Sequence, residues 1–169
     1  MINVVFIGHG KGGKSAAAEI FARRTGKKLT GSTSWYMREQ IAKAMGLPVE
    51  QAWAERRNHR ELWRKEYRKN IIGDPAKLIR EMVKAGSIIE GLRSRDEFDA
   101  AKKEGLFDLV VWVECPWVPK DVTMDLNPSD ADIVINNDER GLDLLEAKLE
   151  PIIKQVMEMS KKTGLVDLE

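Results

Sequence analysis

Cysteine is nearly absent: Cys115 stands alone in a chain of 169 residues. One thiol cannot form an internal disulfide and does not make a Cys-based metal cluster, so a reducing, cytoplasmic setting is the expectation. Long apolar runs are missing too. The longest, at residues 109–113, falls far short of the roughly 20 residues that span a bilayer. Residues 1–7 lack the basic n-region and small-residue cleavage site of a signal peptide. No internal repeat, low-complexity segment or Ser/His/Asp arrangement is present. Membrane, secreted and zinc-finger readings are thereby set aside. What remains is 33% charged and 43% hydrophobic, the composition of a globular domain with its own core.

The formal net charge of +1 conceals an uneven distribution. Residues 35–69 hold nine Lys or Arg against five Glu, a balance of +4, and residues 121–150 hold nine acids against Arg140 and Lys148, a balance of −7. Such a chain can carry a local anion site without being a general polyanion binder, and the acidic stretch argues against a nucleic-acid partner.

Residues 2–7 form a short apolar, β-branched run, as expected of a strand buried on both faces. Gly8, Gly10, Gly12 and Gly13 then break it. The spacing of Ala17, Ile20, Phe21 and Arg24 predicts a helix over 14–24, closed by Gly26. From 34 to 73 the pattern is helical. One helix is expected over 35–45 with Ser34 as its N-cap, and a second from 49 towards 70. A third is expected over 76–84, with Asp74 as N-cap and Pro75 at its first position. Strands follow at 87–90, 106–114 and 131–136, with a helix over 95–104. The last helix carries Leu142, Leu145, Leu149, Ile152, Ile153 and Val156 on one face, and Pro151 should kink or split it. This order predicts an α/β fold: one domain over 1–169, with about four core strands in a mostly parallel sheet and helices on both faces. A helical lobe at about 33–73 would sit beside the switch point of the sheet.

Gly8-His9-Gly10-Lys11-Gly12-Gly13-Lys14-Ser15 fits G-x-x-x-x-G-K-[ST] at every fixed position. It lies between a predicted buried strand and a predicted helix, as a phosphate-binding loop must. The glycines let backbone N–H groups wrap a phosphate, and the helix N-terminus adds its positive dipole end. Gly8, Gly10, Lys11, Gly12, Gly13, Lys14 and Ser15 are therefore the candidate nucleotide-binding residues. Lys14 supplies a cation to the β- and γ-phosphates, and the Ser15 hydroxyl is a magnesium ligand. His9 and Lys11 occupy variable positions and read as exposed loop residues.

Arg56, Arg60, Arg64 and Arg68 recur every four residues and so line one helical face. Two readings stand: a solvated basic face with Glu61 and Glu66 as partners, or a clamp on a substrate phosphate. Arg38, Arg64 and Arg68 are the lobe candidates for that phosphate, and Trp35, Trp53, Trp63 and Tyr67 read as lobe core. A third constellation follows the strand at 87–90. Glu90, Arg93 and Arg95 stand at the carboxyl edge of the sheet, where an acid can hold magnesium and an arginine the phosphates being exchanged. Asp96 and Glu97 suit the first turn of a helix.

With these residues the chain resembles the phage-type deoxynucleoside monophosphate kinases, within the adenylate-kinase-like P-loop kinases. The resemblance rests on the N-terminal P-loop, the turn Arg93-Ser94-Arg95-Asp96-Glu97, and Asp132-Ile133-Val134-Ile135-Asn136-Asn137-Asp138 before a Leu-rich helix. It covers residues 1–26 and 87–159. It implies a three-layer P-loop kinase that transfers the γ-phosphoryl group of ATP to a (deoxy)nucleoside monophosphate with magnesium. The setting it implies is the cytoplasm of a bacterium or a phage-infected host. Lys14 and Arg93 would be the catalytic pair. Two departures stand out. The family has an aspartate two residues before that arginine; here Gly91 stands there and Glu90 is the substitute. The resemblance also implies that the lobe at about 33–73 binds the acceptor and that a short lid lies at about 115–130, yet between 115 and 139 the only cation is Lys120. A P-loop kinase for another acceptor, such as dephospho-coenzyme A, and a nucleic-acid-end kinase remain as alternatives, and the homodimer question stays open.

Overall fold

The computed structural model describes residues 1–162; residues 163–169, the end of the expected 1–169 domain, lie outside them. Five strands form one sheet: β1 (Val4–Ile7), β2 (Leu29–Ser32), β3 (Ile88–Glu90), β4 (Leu109–Glu114) and β5 (Ile133–Asn136). Their order is β2-β3-β1-β4-β5, and every pairing is parallel. β1 is central, with Phe6 opposite Glu90 on one side and Val111 on the other.

Alternate residues of these strands feed two cores. Val4, Phe6, Val111 and Val113 pack with α1 (Lys14–Thr25) and α8 (Leu142–Lys162) on one face. Val5, Ile7, Val110 and Trp112 face the other way. They meet α3 (Arg38–Met45), α5 (Arg60–Ile71), α6 (Lys77–Ala85) and α7 (Arg95–Lys103). A parallel sheet needs both faces covered, and the near-continuous apolar runs of β1 and β4 meet that need. The expected three-layer α/β architecture is present.

Several local expectations are corrected. β2 is a fifth strand, hidden in the sequence because Leu-Thr-Gly-Ser is short, half-polar and bulged at Leu29/Gly31. The expected helix over 35–45 is two: α2 (Thr33–Tyr36) and α3, divided at the buried Met37. Ser32, not Ser34, caps α2, its Oγ accepting from Trp35 N at 3.1 Å. The long helix from 49 is also two, α4 (Val49–Ala54) and α5. Arg56 closes α4 by donating to Trp53 O at 2.8 Å and stacking on the Trp53 ring at 4.1 Å. The four-arginine row therefore loses its first member to a turn. α6 begins at Lys77 rather than Ala76, and Asp74 pairs with Arg80 at 3.0 Å. Around Pro151, α8 runs unbroken from 142 to 162. One lost backbone bond is outweighed by the burial of Leu145, Leu149, Ile152, Ile153 and Val156.

Candidate active site

The loop after β1 is shaped by what presses on it. At Gly8 φ is +147°, and a Cβ there would lie 2.5 Å from Val113 O. At Gly13 φ is +93°, and a Cβ would lie 2.4 Å from Asn137 Nδ2. Asn137 Nδ2 donates to Gly12 O at 3.1 Å, and its own N–H donates to Glu114 O. This side chain, at the end of β5, thus braces the loop from behind. Lys11 holds a left-handed φ of +63° and is exposed. α1 starts with no side-chain cap and no acid in its first turn. Its N-terminal N–H groups and dipole are free to meet an anion.

Lys14 Nζ donates to His9 O at 3.2 Å. Burial lowers the proton affinity of Lys14 and the Arg93 charge lowers it further, with Glu90 and Asp121 partly opposing. These four residues are the electrostatic centre of the site. Glu90 ends β3, and its Oε2 is buried without a hydrogen-bond partner. Arg93 Nη1 donates to Asp121 Oδ2 at 2.5 Å and to Thr123 Oγ1 at 2.8 Å. Burial pushes the Asp121 carboxyl up, but hydrogen bonds from Thr123 with the charges of Arg93 and Lys14 leave it below the usual carboxylate range. The same carboxylate lies 3.3 Å from where a side chain on Gly10 would begin. Ser15 is exposed in the first turn of α1.

Sequence reasoning missed Asp121 and misread His9. His9 is half-buried, its Nδ1 accepts the Asp121 N–H at 3.1 Å, and its ring meets Trp112 edge-on at 5.3 Å. No local pattern marks either residue, because they meet across 112 positions of chain. The acid count of 121–150 was the one available signal.

The other candidates stand apart. Arg95 is paired with Asp130 at 2.6 Å and donates to Asp125 O at 3.0 Å. Arg38 stacks on Trp35 at 4.0 Å and reaches Glu39 at 3.3 Å. Arg64 and Arg68 lie exposed along a shallow groove with Glu61, Lys65, Lys69 and Ile72. Neither makes a hydrogen bond or ion pair with the loop, Glu90 or Arg93. Of the expected lobe core, Trp63 is buried and Trp53 half-buried, but Trp35 is 42% exposed. On the other side of the loop, a groove of about 320 Å³ is lined by Ala16, Cys115, Trp117, Arg140, Leu142 and Leu145. Trp117, 66% exposed, presents an open indole to it and could stack on a flat ring.

Glu97 is in the first turn of α7, as the sequence suggested, but it is fully buried. Burial pushes its carboxyl from 4.5 up to about 7, against the opposing hydrogen bond from Tyr67. Tyr67 belongs to α5, so the pair ties α5 to α7. A raised native pKa means that the folded state keeps a proton which the unfolded chain has lost. The contribution of this group to stability is therefore greatest below about pH 4.5 and is lost as pH rises through about 7. At ~1.4 kcal/mol per unit this amounts to roughly 3 kcal/mol. Glu97→Gln keeps an acceptor for Tyr67 and removes the titration. Melting temperatures from pH 4.5 to 8 should fall less steeply for this variant than for the parent, and parallel curves would refute the assignment.

No family model matches the chain, and no curated protein matches it either. Among solved structures, shikimate kinase from Acinetobacter baumannii in complex with shikimate aligns over 92% of this chain and 95% of its own. The identity is 12% and the TM-score 0.50. Shikimate kinase from Aquifex aeolicus aligns over 98% and 99% at 14% identity, with a TM-score of 0.49. A sugar kinase from a Janibacter species aligns over 90% and 98% at 18% identity, with a TM-score of 0.46. Five parallel strands flanked by helices, with a glycine loop between the central strand and α1, give this chain the shikimate-kinase-like P-loop kinase fold.

Proposed function

We propose that the chain transfers the γ-phosphoryl group of ATP to the phosphate of a (deoxy)nucleoside monophosphate, giving the diphosphate. The observation that carries this reading is the convergence of Lys14 and Arg93 beside an uncapped helix N-terminus. Two anionic substrates that meet at one point need cations on both, and positioning with charge neutralisation is most of the chemistry. An oxygen of the acceptor phosphate attacks the γ-phosphorus as the bond to the β,γ-bridging oxygen breaks. No general base is needed, because the acceptor is already ionised at neutral pH. Asp121, which now holds Arg93 and lies against Gly10, gives way to phosphate at that arginine. The groove beside Trp117 takes the adenine ring. The helical lobe of α2 to α5 takes the acceptor and excludes water, so that ATP is not hydrolysed instead.

The residues present fit magnesium. Magnesium is held by one or two protein oxygens together with substrate phosphates. The exposed Ser15 hydroxyl and the unpartnered Glu90 Oε2 supply such oxygens next to Lys14. When bound, the ion neutralises charge on the β- and γ-phosphates.

That Glu90 oxygen also favours a second reading, a hydroxyl acceptor. A buried carboxylate oxygen without a donor suits a hydroxyl proton. Dephospho-coenzyme A is one such acceptor, and the shikimate kinase of like fold suggests another. A coupled assay with ATP, magnesium and a panel of nucleoside monophosphates, dephospho-coenzyme A, shikimate and sugars separates the two. Turnover of hydroxyl acceptors alone would remove the first reading. Arg93→Ala should lower kcat on the order of 10²- to 10³-fold while ATP binding changes little. The opposite split would place Arg93 outside the transfer step.

A further inference from the structure

The chain has twelve arginines. Six have carboxylate partners: Arg23, Arg24, Arg38, Arg80, Arg93 and Arg95. Among the described residues the other six have none. One of these is Arg140, in the groove beside the P-loop. The other five, Arg56, Arg57, Arg60, Arg64 and Arg68, fall within thirteen consecutive residues. All but Arg56 are exposed. The acids close to them are largely engaged elsewhere, Glu66 with Lys69 at 2.6 Å and Glu55 with His59 at 3.4 Å.

The acidic stretch at 121–150 does not offset this row. Asp121 and Asp130 are taken by Arg93 and Arg95, Asp138 and Glu139 by Lys148, and Glu146 and Glu150 by Arg23 and Arg24. Six of the nine acids there are thus held by cations outside the row. Arg60, Arg64 and Arg68 follow one another at ~6 Å along α5, and like charges at this spacing repel. Lys65 adds a further unpaired cation to the same exposed surface.

We infer that the outward face of α5, with the turn before it, docks a single nucleic-acid strand through successive backbone phosphates. A lone substrate phosphate would engage one or two guanidinium groups, whereas a row of this length suits a polymer of regularly spaced anions. Arginine forks match phosphate in particular. The row is one helix wide, which suits one strand, and single strands also stack bases on aromatic rings. Trp35, 42% exposed, is joined to Trp63 of α5 through Trp53 at centroid distances of 5.1 and 5.8 Å. This surface goes beyond the proposed transfer and requires neither ATP nor Lys14.

The test is fluorescence anisotropy of a short labelled single-stranded oligonucleotide with the full chain, without ATP, across a salt series. Log Kd should rise linearly with log salt, with a slope of about 0.7 for each phosphate contact. Arg57→Ala with Arg60→Ala should lower that slope by about 1.4 and weaken binding about tenfold or more at low salt, with an unchanged thermal melt. Glu61→Gln should strengthen binding, an effect that misfolding cannot imitate. Binding that is absent, or unaltered in the double variant, overturns the inference. So does equal binding, with the same salt slope, to poly-glutamate or to phosphatidylserine vesicles.

Discussion

Lys14→Ala is expected to abolish phosphoryl transfer to every acceptor, lowering kcat/KM on the order of 10³-fold or more, about 4 kcal/mol of transition-state stabilisation. Lys14 is an uncomfortable cation, lowered in proton affinity by burial and by Arg93, with its ammonium resting on His9 O. A phosphate would reverse that discomfort, so the energy of this lysine is realised on the nucleotide. The variant should therefore fold as well as the parent. A saturating ATP analogue raises the parent's stability by ~2.7 kcal/mol at a hundred times Kd, and this gain should vanish in Lys14→Ala. Coupled-assay turnover and thermal melts with and without the analogue check both halves. Turnover within tenfold of the parent would remove the phosphate-loop argument.

Gly8→Ala should be the most damaging single methyl group in the loop. Its Cβ would sit 2.5 Å from Val113 O. That carbonyl belongs to β4, which is paired with β1 and β5 and cannot move aside. The backbone at φ +147° is also one that L side chains rarely adopt. Strain and overpacking together cost about 2–5 kcal/mol, a fall of roughly 5–15 °C in melting temperature for a chain of this size. ATP binding should be lost with it. Gly10→Ala is the comparison, since its Cβ would meet only the Asp121 carboxylate, at 3.3 Å. Melts of the two variants should differ by several degrees, and equal melts would show that the Val113 contact is relieved at little cost.

The elements most legible in the sequence were those whose cause is local. Residues 4–7 and 109–113 read as buried strands because both faces of β1 and β4 are covered and every one of these residues had to be apolar. α1 was readable from its spacing and from Gly26. β2 escaped because an edge strand of four residues with a glycine carries no periodic signal. The break at 55–59 escaped because a tertiary contact, Arg56 over Trp53, ends α4 where helix propensity would have continued it. Glu97 shows the same limit. An acid in a first turn looks exposed until Tyr67 is folded over it.

The order of residues alone determined the phosphate loop, the strand–loop–helix that presents it and the apolar faces that build the two cores, because each depends on neighbours within a few positions. The meeting of charges was decided only by the tertiary structure. Parallel strands bring 9, 14, 90, 93 and 121 to one edge of the sheet. There Asp121 and Asp130 of the acidic stretch pair with Arg93 and Arg95, not with the lobe. Electrostatic partners follow distance in space, and in a doubly covered parallel sheet that distance is set by crossovers tens of residues long.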